Sequence, residues 1–135
     1  MAKSKRFPFI LTPNAGNMAW MPRLTFSLSK DIRTQTVTAL LDTGSTVNVL
    51  PFQLGIDLGA SWNNNASSLQ LTGNLANFDA RPLILTALVE GFEPVPLVFA
   101  WTRAEDAPLI LGHMNFFLEF NVCFFRPEKF FELRK

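Results

Sequence analysis

The chain has 135 residues, 48% hydrophobic and 17% charged, with a net charge of +1, so it is sized for one domain with a real core. That balance excludes intrinsic disorder and gives no electrostatic reason to expect nucleic acid or a strongly charged partner. The lone Cys123 excludes an internal disulfide framework, and with the one histidine, His113, it is too few for a structural zinc site.

Residues 1–19 carry Pro8, Pro13, Gly16 and Asn17 and little periodicity. They read as a mobile arm with a short extended piece at 7–11, which places an N-terminal arm at 1–22 and the domain at 23–135. Lys3, Lys5 and Arg6 read as a solvated tail. The apolar run after them is too short, and too interrupted by proline, for a signal peptide. No apolar stretch has membrane-spanning length, so a soluble, cytoplasmic protein without a membrane partner is expected.

From Arg23 to Leu28 the chain alternates, with Leu24, Phe26 and Leu28 on one face, which predicts a strand. Ser29-Lys30-Asp31 marks a turn. Thr34 to Leu41 predicts the hairpin partner, fully apolar at Ala39-Leu40-Leu41 and hence buried on both faces. Val47 to Leu50 is a short strand stopped by Pro51, and Phe52 to Gly55 can form a helical turn. Asn63, Asn64 and Asn65 suit a surface loop. Residues 69–81 read as a hairpin turning at Gly73-Asn74, and Phe78 to Val89 as a strand in which Pro82 demands an edge or a bulge. Val95 to Trp101 and Pro108 to Leu111 are strands, a short helix covers about 113–120, and a closing hairpin joins Val122–Arg126 to Phe130–Leu133. Cys123, in an apolar run, reads as a buried free thiol. The expected architecture is mostly β with one short helix.

The informative segment is Ala39-Leu40-Leu41-Asp42-Thr43-Gly44-Ser45-Thr46: a buried strand, an acid at its end, then a small-residue turn. Alone, Asp-Thr-Gly is also an ordinary turn in which Asp caps and Gly supplies positive φ. Asp57, Asp79 and Asp106 lack a following Thr/Ser-Gly and read as solvated loop acids; Asp31 reads as a turn residue.

Three landmarks in order, the Asp42-Thr43-Gly44-Ser45 loop, the 69–81 hairpin and Leu109-Ile110-Leu111-Gly112 before a helix and a final hairpin, resemble the retropepsin-like aspartic proteases. The tail from Leu111 to Phe117 is especially similar to bacterial members. The resemblance spans about residues 23–133. It implies an all-β fold, a closed acid-protease-type barrel with one short C-terminal helix, working as a homodimer because only one such acid loop occurs per chain. It also implies peptide-bond hydrolysis by a water activated between two Asp42 carboxylates that share a proton, with a peptide or protein substrate and no cofactor or metal. That sharing is long known for this enzyme class and is not deduced from this chain. Thr43 would bond across the dimer axis, Gly44 would let the backbone approach the carboxylate, and Ser45 would bond its outer oxygen. Ile110 and Leu111 would lie beneath the loop, and Gly112 would permit close passage. Leu71, Thr72, Gly73, Asn74 and Leu75 would form the tip of a substrate-covering flap. The chain departs from the pattern in a flap tip with only Gly73 and in His113 after Gly112, read as a structural or interface residue. The rival readings are a non-catalytic peptide-binding or dimerisation module of the same fold, and a structural β-barrel subunit of a larger assembly.

Overall fold

The computed structural model describes residues 3–65, 68–69, 79–104 and 106–135. In chain order the elements are β1 (Ser4–Pro8), β2 (Ile10–Asn14), β3 (Asn17–Met21), β4 (Arg23–Lys30), β5 (Arg33–Leu41), β6 (Asn48–Pro51), α1 (Phe52–Asp57), β7 (Ala80–Leu88), β8 (Val95–Thr102), β9 (Ile110–Leu111), α2 (Phe116–Glu119), β10 (Asn121–Phe125) and β11 (Phe130–Arg134). Six of them close a barrel in the order β4-β5-β9-β6-β8-β7.

The alternation of β4 delivers Leu24, Phe26 and Leu28 to the core. β5 pairs with β4 from Arg23↔Leu40 to Lys30↔Arg33, and Asp31 takes φ +55° in the tight turn between them. Ala39 and Leu41 are buried at the far end of β5, where it is paired on both edges, with β4 and in parallel with β9. Pro82 sits where β7 is paired with β8 alone; β4 joins β7 only at Thr86–Leu88, so the missing N–H disrupts no second ladder.

The N-terminal segment corrects the expectation of a loose arm. β1 runs antiparallel along β11, which also pairs with β10, so β11 is central in a three-stranded sheet. Phe7 stacks on its register partner Phe131 at 5.5 Å, and Phe9 is buried. Aromatic burial thus anchors a segment whose prolines suggested irregularity. Pro8 and Pro13 are tolerated because β1 is an edge strand and β2 belongs to an isolated β2-β3 pair. That hairpin turns at Ala15 and Gly16, both at positive φ.

The helices need a second correction, since there are two short ones. The expected 113–120 helix contracts to Phe116–Glu119: the Met114 carbonyl accepts from Asn48 N instead of from the next helical turn, and the amides of Leu118 and Glu119 go to Asn115 O. The turn expected at 52–55 is a full helix, α1, whose Gly55 is buried against the indole of Trp101. β9 is shorter than the expected 108–111 strand.

Trp101 organises the core near α1. Its Nε1–H donates to Phe52 O at 3.0 Å, its ring stacks on Phe52 at 5.4 Å, and Trp62 meets it edge-on at 5.1 Å. A Cβ on Gly55 would fall 2.8 Å from Cζ2 of that indole and nearer still to Nε1 and Cε2. Gly55→Ala is therefore expected to destabilise the fold by about 1–3 kcal/mol through overpacking, read as a lower denaturation midpoint.

Glu132 lies on β11 between register partners Arg6 and Cys123. It accepts a hydrogen bond from Arg134 Nε at 2.9 Å, with Arg6 Nε 3.8 Å away. The Arg134 hydrogen bond, foremost, holds its carboxyl below the ordinary value of 4.5; the charges of Arg134 and Arg6 and a hydrogen bond from Ser4 add to this, and burial opposes it. A depressed carboxyl stabilises the fold above its unfolded pKa, and that stabilisation is lost as pH falls through the folded one. The gap in melting temperature between wild type and Glu132→Gln is thus expected to be widest near neutrality and to close in acid below the ordinary value of 4.5. A gap independent of pH would contradict this assignment.

Candidate active site

The acid loop starts where β5 loses its partners. Leu40 N donates to Leu109 O at 3.1 Å, Leu41 N to Pro22 O at 2.9 Å and Asp42 N to Leu111 O at 3.0 Å. Neighbours on both sides therefore fix the backbone up to Asp42. Beyond it the chain turns, closed by Ser45 N donating to Asp42 O at 3.1 Å. Gly44 N donates to Asp42 Oδ1 at 2.9 Å, and a Cβ on Gly44 would crowd that oxygen at 3.3 Å. Asp42 is half-buried, with Thr43 and Gly44 exposed beside it. Among the described residues, Oδ2 of Asp42 carries no hydrogen bond, so one oxygen is held and the other is open to a reactant.

A second chain segment clamps the loop. His113 N donates to Ser45 O at 3.0 Å and Met114 N to Thr46 O at 2.9 Å, while Asn48 N donates to Met114 O at 2.9 Å. Gly112 passes so close that a Cβ there would lie 2.6 Å from Ser45 O and nearer still to Val47 O. The amide of Gly112 donates to Oδ1 of the fully buried Asn48 at 2.8 Å. Asn48 Nδ2 in turn donates to Val98 O at 3.0 Å and Asn115 Oδ1 at 3.2 Å, and Val98 N donates to that same Asn115 oxygen at 3.0 Å. One buried amide thus joins Gly112, β8 and the start of α2, with every polar atom of its side chain satisfied.

His113 Nε2 lies 2.7 Å from Thr43 O. A carbonyl only accepts, so that nitrogen carries the proton and donates. The ring also rests edge-on against Phe117 at 5.3 Å. His113 therefore braces the exposed tip of the acid loop.

Asp42, Thr43, Gly44 and Ser45 share this loop, and Ile110, Leu111 and Gly112 lie directly alongside it. The Ser45 hydroxyl differs from the implied role: it donates to Val47 O at 2.7 Å, closing its own turn, and the carboxylate is met by the Gly44 amide instead. Leu71, Thr72, Gly73, Asn74 and Leu75 lie outside the described residues; Leu69 N donates to Ala80 O at 3.0 Å. Cys123 is a free thiol, half-buried and not fully enclosed. Asn48 and Asn115 were missed. The signal for Asn48 was a lone amide inside the apolar run Val47-Asn48-Val49-Leu50, a placement that demands buried partners.

A small buried apolar cluster of Val49, Ala104 and Ala107 packs with the half-buried Val47 and Ile110. Among the described residues no three His, Cys, Asp or Glu side chains converge as metal ligands, and no helix is long and apolar enough to cross a membrane.

Asn48→Ala would orphan the Gly112 amide and unseat Asn115. We expect it to cost about 1–3 kcal/mol for each buried group left without a partner, measured by chemical denaturation.

No family model and no curated protein matches the sequence. Solved structures do. EIAV protease complexed with the inhibitor HBY-793 is 18% identical and superposes with a TM-score of 0.53 over 81% of this chain and 93% of its own. A retropepsin-like aspartic protease from Rickettsia conorii is 13% identical, with a TM-score of 0.63 over 99% of this chain and 94% of its own. At these identities the likeness shows the fold, which is retropepsin-like.

Proposed function

We propose that two copies of this chain together form an aspartic endopeptidase, each contributing one Asp42. The observation that carries this reading is the Asp42 loop itself. A half-buried carboxylate has one oxygen on the Gly44 amide, on a backbone clamped from both sides, in a fold shared with two aspartic proteases. The loop occurs once in the sequence, and hydrolysis by this route needs two carboxyl groups.

When two carboxyls approach closely, Coulomb repulsion keeps them from ionising together and one proton is held between them. The ionised Asp42 takes a proton from a bound water, which attacks the scissile carbonyl carbon. The protonated partner polarises the carbonyl oxygen. Collapse of the tetrahedral intermediate breaks the C–N bond as a proton passes from the carboxyl pair to the leaving nitrogen. No covalent enzyme intermediate forms, and no metal or organic cofactor takes part.

The half-buried Val47 and Ile110, near the acid loop, would favour apolar side chains at the cleaved bond. An extended peptide would lie over the acid loop, with the 69–81 hairpin as its cover and Leu71 to Leu75 at the tip. Thr43, exposed next to Asp42, would bond the opposite loop.

The test is peptide hydrolysis at mildly acid pH by wild type and Asp42→Asn, with sedimentation of both. The expected result is a loss of kcat/KM by a factor on the order of 10³ or more with the dimer intact. Equal cleavage by both proteins would refute the assignment of Asp42. A stable dimer in which neither protein cleaves any peptide would favour a non-catalytic peptide-binding module.

A further inference from the structure

One peptide unit of the acid loop is held at both ends. The carbonyl oxygen of Thr43 accepts from His113 Nε2 at 2.7 Å, and across the same peptide bond the Gly44 amide donates to Asp42 Oδ1 at 2.9 Å. This peptide bond is trans, and a trans peptide is planar with its C=O and N–H pointing opposite ways. The two hydrogen bonds therefore lie in series. Bonds so arranged polarise one another: a donor on Thr43 O makes the Gly44 N–H a stronger donor in turn. The imidazole of His113 thus reaches the Asp42 carboxylate through a single amide.

The unit it holds is one that needs holding. Thr43 and Gly44 are both exposed, and glycine offers little steric resistance to rotation of the peptide plane. Such a rotation would break both bonds together, so the ring on one side helps keep the carboxylate oxygen bound on the other. The main-chain clamp lies beyond this unit: His113 N donates to Ser45 O and Met114 N to Thr46 O. Those bonds survive any change of side chain at position 113. The ring itself is located by its own clamped backbone and by Phe117 of α2, which it meets edge-on at 5.3 Å.

Resting on the peptidase reading, we propose that His113 is a positioning residue for the reaction. Its Nε2–H, acting through the Thr43–Gly44 peptide, keeps the Gly44 amide on Oδ1 and so fixes the plane of the Asp42 carboxylate, with Oδ2 left for the water. The ring acts from the far side of that peptide unit, away from the reacting oxygen. Its loss slows turnover and leaves substrate binding alone. In a two-fold dimer each subunit's His113 serves its own loop.

Two substitutions in the full chain separate the donor from the ring. His113→Phe keeps an aromatic ring against Phe117 and removes the donor, whereas His113→Gln removes the ring and offers an amide N–H at about the reach of Nε2. In a peptidase assay His113→Phe is expected to lower kcat about tenfold with KM changed by less than about twofold, and His113→Gln to recover most of that loss. Full activity in His113→Phe, an equal loss in both variants, or a loss confined to KM would overturn the proposal. The Gly44 amide proton reads the same bonds by NMR without any substrate. It is expected to move upfield in His113→Phe and to return toward its wild-type position in His113→Gln. If none of the three proteins cuts any peptide, that pattern sustains the bonded series and counts against the peptidase reading alone; a Gly44 resonance indifferent to the donor overturns it. If His113→Phe does not fold, the nitrogen spectrum of the neutral wild-type ring decides. A proton on Nε2 is the expected result, and a proton on Nδ1 overturns the proposal.

Discussion

The acid-loop end of this molecule depends on how closely two backbone segments approach at Gly112. There the chain leaving β9 passes against the carbonyls of Ser45 and Val47 with no room for a methyl group, and its amide finds the buried oxygen of Asn48. That contact brings the amides of His113 and Met114 within reach of the acid loop. A loop of Thr, Gly and Ser has little side-chain bulk to hold its own shape. Its geometry is imposed by the strand pairs beneath it and by the amide ladder beside it.

This arrangement explains why a short exposed turn can carry a precise carboxylate. Asp42 follows a strand paired on both edges, so its main chain has no freedom along the sheet. The Gly44 amide then fixes one carboxylate oxygen. The sequence holds this acid loop once, and the proposed chemistry needs two. The proposed remedy is symmetry: a two-fold axis near Asp42 would double a rigid half-site into a complete one, with no further catalytic residue needed from either copy.

Much of this was legible in the sequence where period and chemistry agreed. The β4-β5 hairpin followed from alternation in Leu24, Phe26 and Leu28, and the acid loop from one tetrapeptide at the end of an apolar strand. The closing hairpin followed from two aromatic runs around Pro127. What was hidden depended on distant partners. β1 forms because Phe7 meets Phe131 across the length of the chain, and no local pattern at Phe7 announces that. The helix at 113–120 was overread because the Met114 carbonyl is taken by the distant amide of Asn48 and not by the next helical turn. Ser45 satisfies the Val47 carbonyl, a choice set by the turn's own closure and not by the neighbouring acid. The Asn48–Asn115 pair joins positions far apart in sequence, and only the oddity of an amide in an apolar strand hinted at it.

The most direct test of a site shared between two copies is a mixing experiment. Wild type and Asp42→Asn would be unfolded together, refolded in varied proportion at constant total protein, and assayed on one peptide. If each site needs an Asp42 from both subunits, activity falls as the square of the wild-type fraction, to about one quarter at equal proportions under random pairing. A linear decline, with about half the activity at equal proportions, would mean that each chain works alone, and the account of a shared carboxylate pair would be wrong.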